Sequence, residues 1–373
     1  MNHQPSAIDM AESAPAPRAP GPVIPRELVF SLLVLLFFGG LITAIVCFYY
    51  SSMASSLVRK GSRLRSEGKS DEALAAYRQS LYFNGKNSMA FTLLGEEYLR
   101  RGDMARAFFY LQKGAACRPV SGMGLYYLGA FEASRGNYRA LDRILGEVPD
   151  LSPQDRAYGD LLRLYCAVMV PGESSCVMAP EEWKSLLNKL IAGADSPFMR
   201  THLGLIAIYG GSPEKAERIF KSLVAENPDR PCFQTYLAMA FMASGKTPQA
   251  LTMLNGALQQ DKENYLALCY LGSLYCGEKL YDEAYSSLSR AIAIGKDRAP
   301  GYFFMGELFY RRGETAKART YLEKSVLYQP NLGPAYSRLH ETYKKLKISD
   351  RADASYKNAA IYRGPLTIPA PSY

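Results

Sequence analysis

The chain has 373 residues, 48% of them hydrophobic and 21% charged, with a net charge of +9. A chain this long and this apolar has ample surface to bury, which excludes a wholly disordered protein. Its seven cysteines include no Cys-x-x-Cys spacing, so the usual zinc and dithiol motifs are excluded as well.

Residues 1–26 carry Pro5, Pro15, Pro17, Pro20, Pro22 and Pro25 and are expected to form a disordered tail. Residues 27–50 are expected to form a transmembrane helix. From Leu28 to Tyr50 there are 23 residues without a charge, and at 1.5 Å per residue they reach roughly 34 Å, enough to cross a hydrocarbon core of about 30 Å. Ser52 and Ala54 also fit a small-x-small cleavage pattern. The apolar run is longer than the roughly 7–15 residues of a signal peptide, which favours an anchor. Tyr49 and Tyr50 suit the interface, and Gly40 with Ala44 makes a small-xxx-small pair of the kind through which two anchors self-associate weakly.

Two positive residues, Arg18 and Arg26, precede the run, and five, Arg59, Lys60, Arg63, Arg65 and Lys69, follow it. This asymmetry favours a cytoplasmic array over a periplasmic one, in a single-pass protein of the bacterial inner-membrane type. The alternative stays open, because the same five residues suit the polar face of the first repeat helix and large domains are exported regardless of charge.

The body of the chain repeats. Gly61, Gly95 and Gly129 are 34 residues apart, and Gly204, Gly272 and Gly306 keep the same period. Twelve residues after each position comes a small residue, as at Ala107, Ala216, Ala250, Ala284 and Ala318, with Leu141 as the departure. Four residues further comes a bulky one, as at Tyr77, Leu111, Leu145, Phe220, Leu288 and Leu322, and Pro119, Pro153, Pro228 and Pro330 close four units. A glycine and an alanine let two helices approach, the large residue fills the flank, and proline stops the second helix. The interval from Gly129 to Gly204 is 75 residues, which leaves an irregular unit at 156–196. Its helices are expected at Gln154 to Val168 and Pro180 to Ala192, joined by a loop over 169–179 that holds Pro171 and Gly172. Arg163, Ala238 and His340 stand where glycine is expected. Cys166 and Cys176 flank the loop and are the one pair of cysteines that could be joined, with simple burial as the more usual fate of scattered cysteines in helical repeats.

The run Leu94-Gly95, Tyr98, Gly102, Ala107, Leu111, Pro119, and again Leu271-Gly272, Tyr275, Ala284, Leu288, resembles the tetratricopeptide repeat. The resemblance implies an all-α fold: an α-solenoid of about nine helical hairpins over 54–363, preceded by the single transmembrane helix and followed by a flexible tail at 364–373. It also implies a concave groove lined from fixed positions of each first helix. Those positions are Met123, Tyr126, Tyr127, Phe198, Thr201, Tyr209, Tyr236, Met239, Met242, Tyr270, Phe303, Phe304 and Tyr310. An aromatic and methionine lining of this kind suits an apolar or amphipathic protein segment, although such residues also pack neighbouring hairpins together. The family's clamp for terminal carboxylates is absent, since Val58, Ser62, Thr92 and Glu96 occupy its positions.

No phosphate-binding loop, nucleophile elbow or metalloprotease motif occurs, so no enzymatic activity, cofactor or metal is expected. His3, His202 and His340 have no catalytic set around them. Basic and aromatic residues are not interleaved as nucleic-acid readers require, so no nucleic-acid partner is expected. The expected function is a membrane-anchored scaffold or adaptor that binds a protein or peptide in its groove. The alternatives are an accessory or regulatory subunit of an envelope enzyme or transporter complex, and an exported chaperone-like assembly factor.

Overall fold

A computed structural model describes residues 26–361 except Gly102, Gly136, Gln154 and 170–177. The two terminal tails, the start expected for a helix at Gln154, and Pro171, Gly172 and Cys176 lie outside the described residues. Every regular element among the described residues is helical. The chain divides into two units at Ser52/Met53.

The first unit is the apolar part of helix α1 (Arg26–Ser66), in which every described side chain up to Ser52 is exposed. It is long and apolar enough to cross a membrane.

Among the described residues the second unit is an array of nine helical hairpins. Residues 53–66 of α1 pair with α2 (Ser70–Phe83), α3 (Ser88–Arg100) with α4 (Met104–Ala115), and α5 (Gly122–Ser134) with α6 (Tyr138–Gly146). The irregular unit pairs α7 (Arg156–Met169) with α8 (Pro180–Gly193). Then come α9 (Pro197–Tyr209) with α10 (Pro213–Glu226), α11 (Pro231–Ala243) with α12 (Thr247–Gln260), and α13 (Tyr265–Gly277) with α14 (Tyr281–Ile294). Helices α15 (Ala299–Arg311) with α16 (Thr315–Tyr328) and α17 (Gly333–Lys345) with α18 (Ser349–Ile361) complete the array.

Local chemistry starts and stops these helices. The side chains of Asn87, Asp103, Ser121, Asn137, Ser196 and Asn264 accept hydrogen bonds from backbone N–H groups two or three residues into the next helix, satisfying donors the helix cannot. Among the described residues the first helix of six hairpins is followed by a left-handed residue, and five of these form a second 34-residue ladder: Gly211 (φ 72), Gly245 (φ 70), Lys279 (φ 63), Gly313 (φ 81) and Lys347 (φ 58), with Gly68 (φ 78) in the first hairpin. Glycine adopts this conformation without strain, whereas the two lysines each cost about 1 kcal/mol.

The first ladder marks the helix crossings. A Cβ on Gly95 would lie 2.6 Å from Leu111 and 3.2 Å from the Ala107 carbonyl, and one on Gly272 would lie 2.5 Å from Leu288. Only a bare backbone fits there. Where His340 replaces glycine, its Nδ1–H donates to the Ala352 carbonyl at 2.8 Å, so a hydrogen bond stands in for the close approach. Arg163 is instead part-exposed and lies 3.7 Å from Asp160.

The third hairpin departs from the pattern. Helix α6 stops at Gly146 and a 3₁₀ turn, Val148–Asp150, follows, so the helix ends well before Pro153. The atoms nearest a Cβ on Gly129 are those of Leu162 of α7, at 2.6 Å, where the repeat spacing places Leu145. The irregular unit thereby completes the hairpin before it.

Candidate binding cleft

The first helix of each hairpin faces the next hairpin's first helix, and that contact absorbs most of the aromatic side chains assigned to the groove. Met123, Tyr126, Tyr127, Phe198, Thr201, Tyr236, Met239, Tyr270, Phe303 and Phe304 are all buried, and Tyr209, Met242 and Tyr310 are partly exposed. Rings from different first helices meet edge to face, Tyr127 of α5 on Phe198 of α9 with centroids 5.4 Å apart and Tyr270 of α13 on Phe304 of α15 at 5.5 Å. Tyr310 is covered by cations, with Lys345 Nζ 3.8 Å and the Arg338 guanidinium 4.5 Å from its ring centre.

Composition carried a signal of this burial. Helices α11 and α13, Pro-Cys-Phe-Gln-Thr-Tyr-Leu-Ala-Met-Ala-Phe-Met-Ala and Tyr-Leu-Ala-Leu-Cys-Tyr-Leu-Gly-Ser-Leu-Tyr-Cys-Gly, contain no charged residue. A helix without a charged face is packed on several sides.

At the centre of the aromatic layer sits His202, with its ring centre 4.3 Å from that of Phe198 and 4.8 Å from that of Tyr126. Its Nδ1 is 2.9 Å from the Tyr126 hydroxyl, and Nε2 finds no hydrogen-bond partner among the described residues. Burial holds the imidazole neutral, lowering its pKa to about 3, and burial also pushes the Tyr126 hydroxyl well above its ordinary value.

The former clamp positions are filled by structure. Thr92 donates to the Ser88 carbonyl at 2.9 Å. Glu96, 1% exposed, lies 2.6 Å from Arg65. Burial opposes the Arg65 charge, but the charge of Glu96 and its hydrogen bond outweigh that and raise the guanidinium pKa. Cys166 is buried inside α7.

What stays open is a cleft of about 530 Å³ with several charged residues in its walls. One wall comes from the first two hairpins, through Arg65, Ser66, Ser70 and Arg100. The other comes from the starts of α11, α13 and α15, through Asp229, Arg230, Glu263, Asn264, Tyr265 and Arg298. Tyr236 is the one residue of the aromatic set that reaches it. Its far wall is braced: the Tyr265 hydroxyl donates to the Arg298 carbonyl at 3.0 Å and accepts from Gly301 N–H at 2.8 Å, while the Arg298 guanidinium lies 3.9 Å from the Tyr265 ring centre. The array also meets itself at a second place. Asn331, in the turn before α17, donates its side-chain amide to the carbonyl of Ala133 in α5 at 2.9 Å, across 198 residues. The cleft chemistry was not visible in the sequence, because its two walls come from segments more than a hundred residues apart.

Comparison with known proteins supports the repeat reading over one stretch of the array. Residues 207–269 match the tetratricopeptide-repeat family. A search of curated protein sequences gives no match. Among solved structures, one of a tetratricopeptide-repeat protein from Parabacteroides merdae is 14% identical, covers 74% of this chain and 93% of its own, and superposes with a TM-score of 0.42. A thermophilic repeat protein from Thermus thermophilus is 21% identical, with 45% and 91% covered and a TM-score of 0.41. MamA from Desulfovibrio magneticus is 18% identical, with 45% and 94% covered and a TM-score of 0.34. The matched residues run from the end of α9 into α13, in phase with the hairpins on either side, and this stretch of the array is similar to the tetratricopeptide repeat.

Proposed function

We propose that this protein is a membrane-anchored scaffold whose array holds a polar, charged segment of a partner protein in the cleft between the first two hairpins and the starts of α11, α13 and α15. The observation that carries the reading is the division of labour inside the array. The aromatic and methionine side chains are spent on packing, while the open concavity offers Arg230, Glu263, Asn264 and Arg298. Charges of both signs, placed on a braced wall, select a segment of complementary pattern. Tyr209, Met242 and Tyr310 are the members of the predicted aromatic set with surface left for a partner.

The anchoring part rests on α1. Its residues 27–52 are exposed throughout, and an apolar helix with no protein partner is stable in lipid, where its backbone is satisfied internally. We place the array on the cytoplasmic side, following the excess of basic residues after the span. Tethering raises the effective concentration of whatever the cleft holds without adding a contact.

The charge reversals Glu263→Lys and Arg298→Glu, each on an exposed side chain, test the cleft in full-length protein purified from membranes. Loss of co-purifying partners with unchanged helical content is the expected result, and an unchanged partner set rejects the cleft. If removing residues 1–53 abolishes partner binding in solution, the anchor is the interface and the protein is an accessory subunit. A reporter fused after Tyr373 reads the side of the membrane.

A further inference from the structure

A second cavity, of about 360 Å³, opens between the first two hairpins and shares no lining residue with the cleft described above. Three arginines enter it from three places: Arg78 of α2, Arg101 in the turn after α3, and Arg106 of α4. Two carboxylates, Asp71 and Asp103, line it with them.

Both carboxylates are already engaged. Asp103 caps α4 through the Arg106 N–H at 2.9 Å and takes the Arg106 Nε at 2.5 Å. Asp71, 92% exposed, lies 2.9 Å from Arg101. The buried Glu97 takes the same guanidinium at 3.0 Å and shares itself with Arg100 at 3.3 Å. Arg78 is left without an acid: its guanidinium donates to the hydroxyl of Tyr98, and no carboxylate pairs with it among the described residues. The group therefore holds four guanidiniums against three carboxylates.

The odd charge is held in place. Tyr98 is 2% exposed, with its ring parallel to that of Tyr110 at 5.4 Å between centroids and the Arg106 guanidinium 4.7 Å from its centre. A neutral phenol is a weaker acceptor for a guanidinium than a carboxylate, so this contact fixes where the Arg78 charge sits without neutralising it. A guanidinium has five N–H donors in a rigid fork, and those of Arg78 not used on Tyr98 serve an incoming anion. Displacing Asp71 from Arg101 costs little, because an ion pair with so exposed a partner is worth at most about 1 kcal/mol.

We propose that this cavity binds a phosphate monoester, with Arg78 as the pre-placed contact, Arg101 exchanging Asp71 for the same group, and Arg106 beside them. A carboxylate is matched by one arginine fork, whereas a phosphate monoester presents three strong acceptor oxygens and close to two charges and engages several. The volume leaves room for the carbon group that carries the phosphate, which is either a phosphorylated side chain of a partner protein or a free organic phosphate. The site depends neither on the membrane span nor on the partner cleft.

The test titrates the full chain in detergent by calorimetry at physiological ionic strength. The probes are a short end-blocked alanine peptide carrying one phosphoserine, the same peptide with glutamate in its place, and glycerol 3-phosphate. Saturable binding of a phosphate probe is expected, weakened about ten- to hundredfold in Arg78→Gln, the range of one lost charge-assisted hydrogen bond. Arg139→Gln removes an exposed arginine outside the cavity and should leave the affinity unchanged. Circular dichroism checks that both variants, each at an exposed position, keep the parent's helical content. Tighter binding of the phosphopeptide supports the site and assigns it to a modified partner; equal or tighter binding of glycerol phosphate supports it and assigns it to a free phosphate compound. Absence of saturable binding by either phosphate probe overturns the proposal. So does a glutamate peptide that binds as tightly as the phosphopeptide, which means attraction for any acid, and so does equal weakening by Arg78→Gln and Arg139→Gln, which means an effect of net charge.

Discussion

His202 shows how one buried side chain couples the array to pH. In the unfolded chain its imidazole titrates at the ordinary value of 6.5, whereas in the folded array burial lowers it to about 3. Between those values the unfolded chain binds a proton that the folded one does not, so stability falls as pH falls through that window, by about 1.4 kcal/mol per pH unit. Tyr126, Tyr127 and Phe198 surround the ring, and burial alone accounts for the shift. Replacing His202 with Gln keeps an acceptor for the Tyr126 hydroxyl and removes the titration. The stability lost between pH 6.5 and 5 is expected to be smaller in His202→Gln than in the parent by about 2 kcal/mol. Thermal unfolding across that range measures it, and parallel pH profiles for the two proteins would show that His202 carries none of the dependence.

At the scale of the hairpin, the glycine ladder was legible because close approach of two backbones admits no Cβ, a constraint that survives in any one copy. Gly95, Gly272 and Gly306 obey it, each against the leucine sixteen residues on. The irregular unit has helices at Arg156–Met169 and Pro180–Gly193 against expected spans of 154–168 and 180–192. What the spacing did not reveal was the change of partner at Gly129, because that depends on how early α6 stops. Gly146 and Pro149 cut it to nine residues, and the space it leaves is taken by Leu162. The exchange predicts a specific coupling. Gly129→Ala forces its Cβ onto Leu162, so adding Leu162→Ala should recover about 1–3 kcal/mol of the loss, whereas adding Leu145→Ala should be additive to within about 0.5 kcal/mol. A double-mutant cycle in denaturant decides it, and coupling to Leu145 in place of Leu162 would contradict the repacked hairpin.

Over the whole array, the self-contact changes what kind of solenoid this is. An open repeat array is quasi-one-dimensional, because each unit touches its neighbours alone and a perturbation in the eighth is silent in the third. Here the turn before α17 is drawn inward: Asn331 is 2% exposed, Leu332 is fully buried, and the Asn331 amide reaches the Ala133 carbonyl. That contact, like the two-walled cleft, depends on the pitch accumulated over several hairpins. Small rotations per repeat sum to a geometry that no single 34-residue period encodes, which is why repeat spacing yielded the fold but not the cleft. The closure has an energetic signature. Removing the Asn331 amide leaves the Ala133 carbonyl without that donor, a loss of about 1–3 kcal/mol, equivalent to roughly tenfold to hundredfold faster opening of the segments it joins. Asn331→Ala should therefore accelerate hydrogen exchange at the Arg135 and Asn137 amides, which bond to the end of α5, and leave the Ala250 amide in the sixth hairpin unchanged. Faster exchange confined to α17 and α18 would mean that the turn stabilises its own hairpin alone. Faster exchange at α5, 198 residues away, with the sixth hairpin unchanged, shows that the Asn331 contact stabilises both of the segments it joins.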